Sequence, residues 1–262
     1  MHSAPRALIA GLGLIGGSIG MALRSRGWHV TFVDPNVDLH PAQRAGAADE
    51  RVDSLRADAD VIIIATPLNV AVELLRTQDS GLRTTSVTSV MEPLRAAAKN
   101  TNFIAGHPLA GSHERGLAAA HADLLRDRVW FLERHDELVD RVVNDCGARL
   151  EIVSADEHDA AVALTSHLPQ ILSTALAAYL DQDSERRAAG GGRELRDFVG
   201  TGLETFLRLA SSDASVWSPV FKANRANVTP HVEALLNIVW KILDGDKSAF
   251  EQARAFMGKL KA

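Results

Sequence analysis

An α/β domain followed by an all-helical one is the architecture this sequence predicts, on three observations. Apolar strands alternate with helical stretches over the first 150 or so residues. A glycine-rich turn joins the first strand to the first helix. From Ser154 onward only helical patterns remain.

The glycine turn is Gly11-Leu-Gly-Leu-Ile-Gly16, which has the spacing G-x-G-x-x-G. Gly11 permits a tight turn, Gly13 allows close backbone approach to a pyrophosphate, and Gly16 allows the helix to pack on the strand. Leu14 and Ile15 open the helix, whose N-terminal N–H groups favour negative charge. Ser18–Arg26 continues it and Gly27 stops it. The next strand, His29-Val-Thr-Phe-Val-Asp34, ends on an acid about 20 residues past the first glycines, where a ribose hydroxyl is held. A Rossmann-type dinucleotide-binding domain follows, with Gly11, Gly13, Leu14, Ile15, Gly16 and Asp34 at the cofactor. Asp34 sets NAD as the expected cofactor, because its charge repels a 2′-phosphate.

Asp60-Val-Ile-Ile-Ile-Ala65 is a continuous apolar run, as a strand buried on both faces requires. Thr66 and Pro67 stand at its carboxyl end. There they either line the cofactor cleft or simply open the next helix. Thr84-Thr-Ser-Val87 is a short strand leading to Ser89. Asn102-Phe-Ile-Ala105 is another, delivering Gly106-His-Pro-Leu-Ala-Gly-Ser112, which reads as a loop. His107 precedes a proline and is therefore extended; as a lone histidine it is structural or catalytic. Val129-Trp-Phe-Leu132 and Leu150-Glu-Ile-Val153 are further strands, with a helix over 136–146 between them.

Ser154-Ala-Asp-Glu157 is a capping box, and the boundary between domains is placed at 153/154. Helical patterns cover 155–182, 194–210, 215–227, 230–244 and 247–261. The glycine run 190–192 breaks the first from the second.

Composition narrows the function. With 46% hydrophobic residues the chain builds a core. A net charge of −5 without basic clusters argues against nucleic acid or an anionic membrane as partner. The single cysteine, Cys146, fits a reducing, cytoplasmic compartment and supplies no metal cluster. Residues 8–23 are apolar, but the glycine spacing makes them core rather than a signal peptide. No other run is expected to be long and apolar enough to span a bilayer.

Four motifs in order carry a resemblance: Gly-Leu-Gly-Leu-Ile-Gly-Gly-Ser (11–18), Gly-His-Pro-Leu-Ala-Gly-Ser (106–112), Thr-Ser-His-Leu-Pro-Gln (165–170) and Arg-Leu-Ala-Ser-Ser-Asp (208–213). Trp217 and Asn224-Arg-Ala-Asn-Val228 follow. Together they resemble the prephenate/arogenate dehydrogenase family of tyrosine biosynthesis, over nearly the whole chain. The resemblance implies NAD-dependent oxidative decarboxylation of a cyclohexadienol, with ring aromatisation. It implies His107 as the base and Ser89 as its hydrogen-bonding neighbour, though Ser89 reads equally as a surface serine ending a strand. Arg208 matches the carboxylate-gripping residue, and Ser112 and His167 match substrate contacts. Ser112 could instead cap its turn, and His167 could instead be a buried structural histidine. A homodimer through the helical domain is also implied. With 262 residues the chain is expected to leave no room for an appended regulatory domain.

The chain departs from the family pattern Asp-x-x-Ser-x-Lys, having Ser86, Ser89 and Met91 there. Gln170 stands where many relatives have a second histidine. Its amide oxygen can accept from an ammonium group, which points to arogenate over prephenate as substrate. Two rivals stand beside this reading. The β-hydroxyacid dehydrogenases share the layout but need a helical lysine with asparagine four residues on, and here Ala226 follows Lys222. A non-catalytic nicotinamide-binding relative is the other.

Overall fold

The computed structural model describes residues 4–55, 58–77, 81–99, 101–111, 114–190 and 193–260. Ser112, expected at the substrate, lies outside them.

Six strands form one parallel sheet: β1 (Arg6–Ala10), β2 (His29–Val33), β3 (Glu50–Arg51), β4 (Val61–Ile64), β5 (Arg83–Ser86) and β6 (Phe103–Ile104). Their spatial order is β3-β2-β1-β4-β5-β6. The order reverses at β1/β4, so a crevice opens at the carboxyl ends of those two strands. Helices α1 (Leu14–Ser25), α2 (Leu39–Arg44), α3 (Leu68–Thr77) and α4 (Glu92–Ala97) connect them.

Both faces of this sheet are covered, which accounts for the unbroken apolar runs. Along β4, Val61 and Ile63 face one core cluster with Ile9, Leu23 and Phe32. Ile62 and Ile64 face a second with Leu8, Leu68 and Leu94.

The segment expected to be a loop at Gly106 is in part a strand, and this corrects the sequence reading. β7 (Gly106–Pro108) pairs antiparallel with β8 (Val129–Leu132), which pairs parallel with β9 (Arg149–Ile152). These make a separate three-stranded sheet. β7 is an edge strand, where a proline's missing N–H costs no ladder bond. Helix α5 (Glu137–Asp145) joins β8 to β9, capped by Asp136, whose carboxylate accepts from the N–H groups of Leu138 and Val139.

After β9 the described residues hold no strand. α6 (Ala155–Val162) runs through a π-turn (Ala163–His167) into α7 (Leu168–Ala189). Then come α8 (Thr201–Leu207), α9 (Ala214–Ala223), α10 (Arg225–Leu243) and α11 (Ser248–Lys259). Helix α7 outlasts the expected end at 182 and is capped by Gly190. The stretch 194–210 is not one helix: 3-10 turns flank α8 on both sides. The break expected near Pro230 falls at Asn224, and Pro230 sits inside α10.

Packing divides the chain into two compact units, Met1–Val162 with Ala210–Ala223, and Ala163–Leu209 with Asn224–Ala262. This is not the 153/154 division expected from the capping box. Helix α6 stays with the first unit because Asp159 bonds the start of α4. Helix α9 returns to it because Val220 joins the cluster of Leu68 and Ala71.

The expectation about bilayer-spanning runs also needs correction. The helical run Ala155–Ala189 contains an 18-residue window apolar enough by length and composition, one third of it buried. Its charged residues lie towards the two ends. Its middle carries His167, Gln170 and Ser173, buried polar side chains that are hydrogen-bonded within the fold.

Candidate active site

The glycine turn is built as its spacing demands. Gly11 has φ +91°, and a Cβ there would lie 2.7 Å from the Ala65 carbonyl oxygen. At Gly16 a Cβ would come within 2.0 Å of the Gly11 carbonyl oxygen, so only glycine lets α1 sit this close. Gly13 is different: a Cβ there would meet no protein atom within 4 Å. The space beside it is open, at the start of a helix that no side chain caps. Leu14 and Ile15 form the first turn, and Ile15 packs on the core, which leaves the backbone N–H groups to serve an anion. Ser18 steadies the turn by donating to the Leu14 carbonyl (2.7 Å) and accepting from the His121 N–H (3.0 Å).

Asp34 follows β2. Its Oδ2 accepts from the Leu12 N–H at 2.8 Å and its Oδ1 from the Asn36 N–H at 2.8 Å. The carboxylate is thereby fixed against the glycine turn with lone pairs remaining for a hydroxyl donor. Thr66, at the end of β4, lies against Gly11. Its hydroxyl is buried with no partner among the described residues, and a buried orphan of this kind calls for a ligand or water. Pro67 is exposed beside it. An open anion-binding helix start, a fixed acid and an orphaned hydroxyl fit a dinucleotide.

The second cluster gathers on β7. Ser86 stands where the family has an acid; its hydroxyl lies 3.3 Å from both the carbonyl oxygen and the amide nitrogen of Gly106. It thus pins the chain as it leaves the main sheet for the second one. Ser89 is half-buried in the turn between β5 and α4, and Met91 is fully buried two residues later. His107 follows Gly106, opposite Phe131 of β8. Its Nδ1 is 2.9 Å from Nε2 of His158 on α6. Nδ1 of His158 is in turn 2.8 Å from Oδ1 of Asp159. The Asp159 carboxylate also accepts from the N–H groups of Met91 (2.9 Å) and Glu92 (3.0 Å). His158 and Asp159 are 2% and 1% exposed. Two buried ionisable groups joined to a histidine on a cofactor-binding domain are a functional signal.

Sequence reasoning missed His158 and Asp159. The available signal was an adjacent His-Asp pair one turn past the capping serine, but an isolated pair on a helix reads as solvated polarity. A carboxylate reaches the His107–His158 pair from Asp159 of α6.

In the second unit, His167 ends the π-turn, fully buried, with Nδ1 3.1 Å from Nδ2 of Asn224. Gln170 is 2% exposed, and its amide nitrogen donates to the Leu209 carbonyl (2.7 Å) and the Thr174 hydroxyl (3.1 Å). It thus holds the backbone next to Arg208, whose side chain is exposed at the end of α8. Both amide protons of Gln170 serve the fold.

A dinucleotide crevice in an α/β domain, a histidine relay on its second sheet and a helical domain define a two-domain nucleotide-dependent dehydrogenase. Comparison makes the assignment particular. Residues 19–152 match the family model for the prephenate dehydrogenase nucleotide-binding domain, and residues 154–244 match that for its dimerization domain. The chain belongs to the prephenate dehydrogenase family. It is 29% identical to prephenate dehydrogenase of Lactococcus lactis, over 93% of this chain and 73% of that one. It is 30% identical to a probable prephenate dehydrogenase of Streptomyces niveus, over 94% and 72%. Among solved structures it resembles prephenate dehydrogenase from Aquifex aeolicus in complex with hydroxyphenyl propionate and NAD+. That match has a TM-score of 0.80, 26% identity, and coverage of 99% and 97% of the two chains.

Proposed function

We propose that the protein oxidatively decarboxylates prephenate or arogenate with NAD+, in tyrosine biosynthesis. The observation that carries this reading is His107 itself. It is a half-buried imidazole on an edge strand of the nucleotide-binding unit, oriented by a buried His-Asp pair.

His107 takes the proton of the ring hydroxyl. NAD+, when bound at the glycine turn, would supply the acceptor for the hydride that leaves the carbon bearing that hydroxyl. The ring carboxylate leaves as carbon dioxide, and its bonding electrons complete the aromatic ring. The protein's own contribution is orientation and general-base work. Ser89 shares the hydroxyl with His107. Gly11, Gly13, Leu14, Ile15 and Gly16 hold the pyrophosphate, Asp34 the ribose, and Thr66 and Pro67 the wall of the crevice. Arg208 grips a carboxylate, since a planar guanidinium does so bidentately. His167, Ser112 and Gln170 contribute to substrate binding. Gln170 spends its amide protons on Leu209 and Thr174 and so holds the Arg208 turn, while its amide oxygen, an acceptor for an ammonium group, favours arogenate over prephenate.

A homodimer through the helical unit completes the reading. It is supported by the dimerization-domain match and by Leu236, Val239, Trp240 and Leu243 of α10, which are 43–70% exposed at helical spacing. Such an apolar stripe marks an interface.

The test is reduction of NAD+ followed by absorbance with each substrate. Formation of reduced nicotinamide and carbon dioxide in equal amounts supports the reading. No turnover with either substrate, in protein shown to bind NAD+, overturns it.

A further inference from the structure

We propose that Asp159 and His158 are positioning residues that fix the tautomer of His107, placing its proton on Nδ1 and its basic lone pair on Nε2. The proposal rests on the reading of His107 as the general base and adds what makes it one.

Asp159 is the most constrained group of the three. Both of its oxygens already accept backbone N–H groups, from Met91 and Glu92. An ionised carboxylate only accepts, and each oxygen here already faces a backbone N–H donor. The contact between Asp159 Oδ1 and His158 Nδ1 therefore needs a proton on Nδ1 of His158. In the neutral His158 ring, Nε2 is then the acceptor. The nitrogen 2.9 Å from it is Nδ1 of His107, which must donate. Nε2 of His107 is left as the unprotonated nitrogen, the form a base requires.

Packing holds the two rings in this relation. They meet edge to face, with centroids 5.1 Å apart and planes at 89°. Phe131 packs its ring against His158 at 5.6 Å. His158 is thus fixed by an acid at one nitrogen, a histidine at the other and an aromatic wall. When Nε2 of His107 takes the substrate proton, the resulting imidazolium already donates from Nδ1 to His158. No further proton has to move. An Asp–His pair sets an imidazole tautomer in the same way in serine hydrolases; here one more ring is interposed.

Asp159→Asn inverts the line with little change of shape. With its amide nitrogen at the Oδ1 position the introduced side chain would donate to Nδ1 of His158 and give up the Met91 N–H, while its oxygen would keep the Glu92 N–H. His158 would then donate from Nε2, and His107 would carry its proton on Nε2. The experiment is nitrogen NMR of the full chain with labelled imidazole nitrogens, at a pH where His107 is neutral. His107 signals are assigned with the His107→Asn variant. The wild type is expected to show His107 protonated on Nδ1 alone, and Asp159→Asn to show it on Nε2. Turnover of Asp159→Asn is expected to fall by roughly 10²–10⁴-fold, the range a positioned base supplies, with KM and NAD+ affinity unchanged. A wild-type His107 protonated on Nε2, or a doubly protonated His158 beside a neutral His107, overturns the proposal. So does an inverted tautomer with undiminished turnover. The wild-type spectrum decides even if the variant does not fold. It also stands apart from activity: a correct tautomer in a protein that turns over neither substrate refutes the functional reading and not the relay's geometry.

Discussion

Nδ1 of His107 and Nε2 of His158 stand 2.9 Å apart, joining an edge strand to a helix 51 residues further along the chain. The bond explains how a single histidine next to a proline is held in one orientation. β7 supplies its backbone and α6 supplies its ring partner.

The glycine turn separates folding from nucleotide binding. Gly13→Ala adds a methyl group into open space, so stability should hold while NAD+ affinity falls. Gly16→Ala drives a methyl group into the Gly11 carbonyl and should destabilise by about 1–3 kcal/mol or more, as overpacking does. Thermal melts and a nucleotide titration on both variants check this. Equal affinity for NAD+ in wild type and Gly13→Ala would move the pyrophosphate elsewhere.

Asp34 should make NAD+ the preferred cofactor. Its carboxylate is fixed by the Leu12 and Asn36 N–H groups and cannot swing away from a 2′-phosphate. Like-charge contact costs several kcal/mol. Arg51 on β3 lies 3.4 Å from the Asp34 carbonyl oxygen, but it is paired with Asp38. The ratio of kcat/KM for the two nucleotides should favour NAD+ and shrink in Asp34→Asn. A wild type more efficient with NADP+ would refute the assignment of Asp34.

Much of this was legible in the sequence, for a physical reason. β4 and, past Arg6, β1 are apolar on both faces, so their runs are unbroken, and the glycine spacing marks the turn after β1. β3 has two residues, too few for any periodicity, whereas β6, equally short, lies within the strand expected at 102–105. β7 hid because Gly106 and Pro108 are loop residues everywhere except a sheet edge. In the helical unit, α10 runs through Pro230, while Asn224, tied to His167 and Asn227, makes the break. His107 could be picked out from its loop. The burial of His158 and Asp159 depends on α6 packing against α4, which no local pattern encodes.

Acid should loosen the start of α5. Burial works to raise the Asp136 carboxyl, but the Val139 N–H, Arg83 and the Leu138 N–H outweigh it and hold the group below the usual carboxylate range. Its stabilisation is therefore complete above the unfolded value of about 3.9 and is lost as pH falls through the lower folded value. Asp136→Ala should cost about 1 kcal/mol at neutral pH, the usual worth of an N-cap. The difference between variant and wild type should vanish in strong acid. Denaturant melts across pH measure it, and a gap that persists at the lowest pH would contradict the cap's ionic character.

Arg208→Ala should raise the KM for substrate and leave NAD+ affinity unchanged. Arg208 is exposed, so the loss is that of a charge-assisted hydrogen bond, about 1.5–3 kcal/mol. Gln170→Ala, which frees the Leu209 carbonyl, should produce a smaller change of the same kind. Steady-state kinetics on both variants check this, and an unaltered KM in Arg208→Ala would remove that residue from substrate binding.

The central claim is that His107 is the base of a dehydrogenase, and the most direct measurement is the turnover of His107→Asn at saturating NAD+ and substrate. The variant is predicted to bind NAD+ as the wild type does and to reduce it roughly 10²–10⁴-fold more slowly, the contribution of general-base catalysis. Turnover within a few-fold of wild type would contradict the account and leave His107 a structural residue of β7.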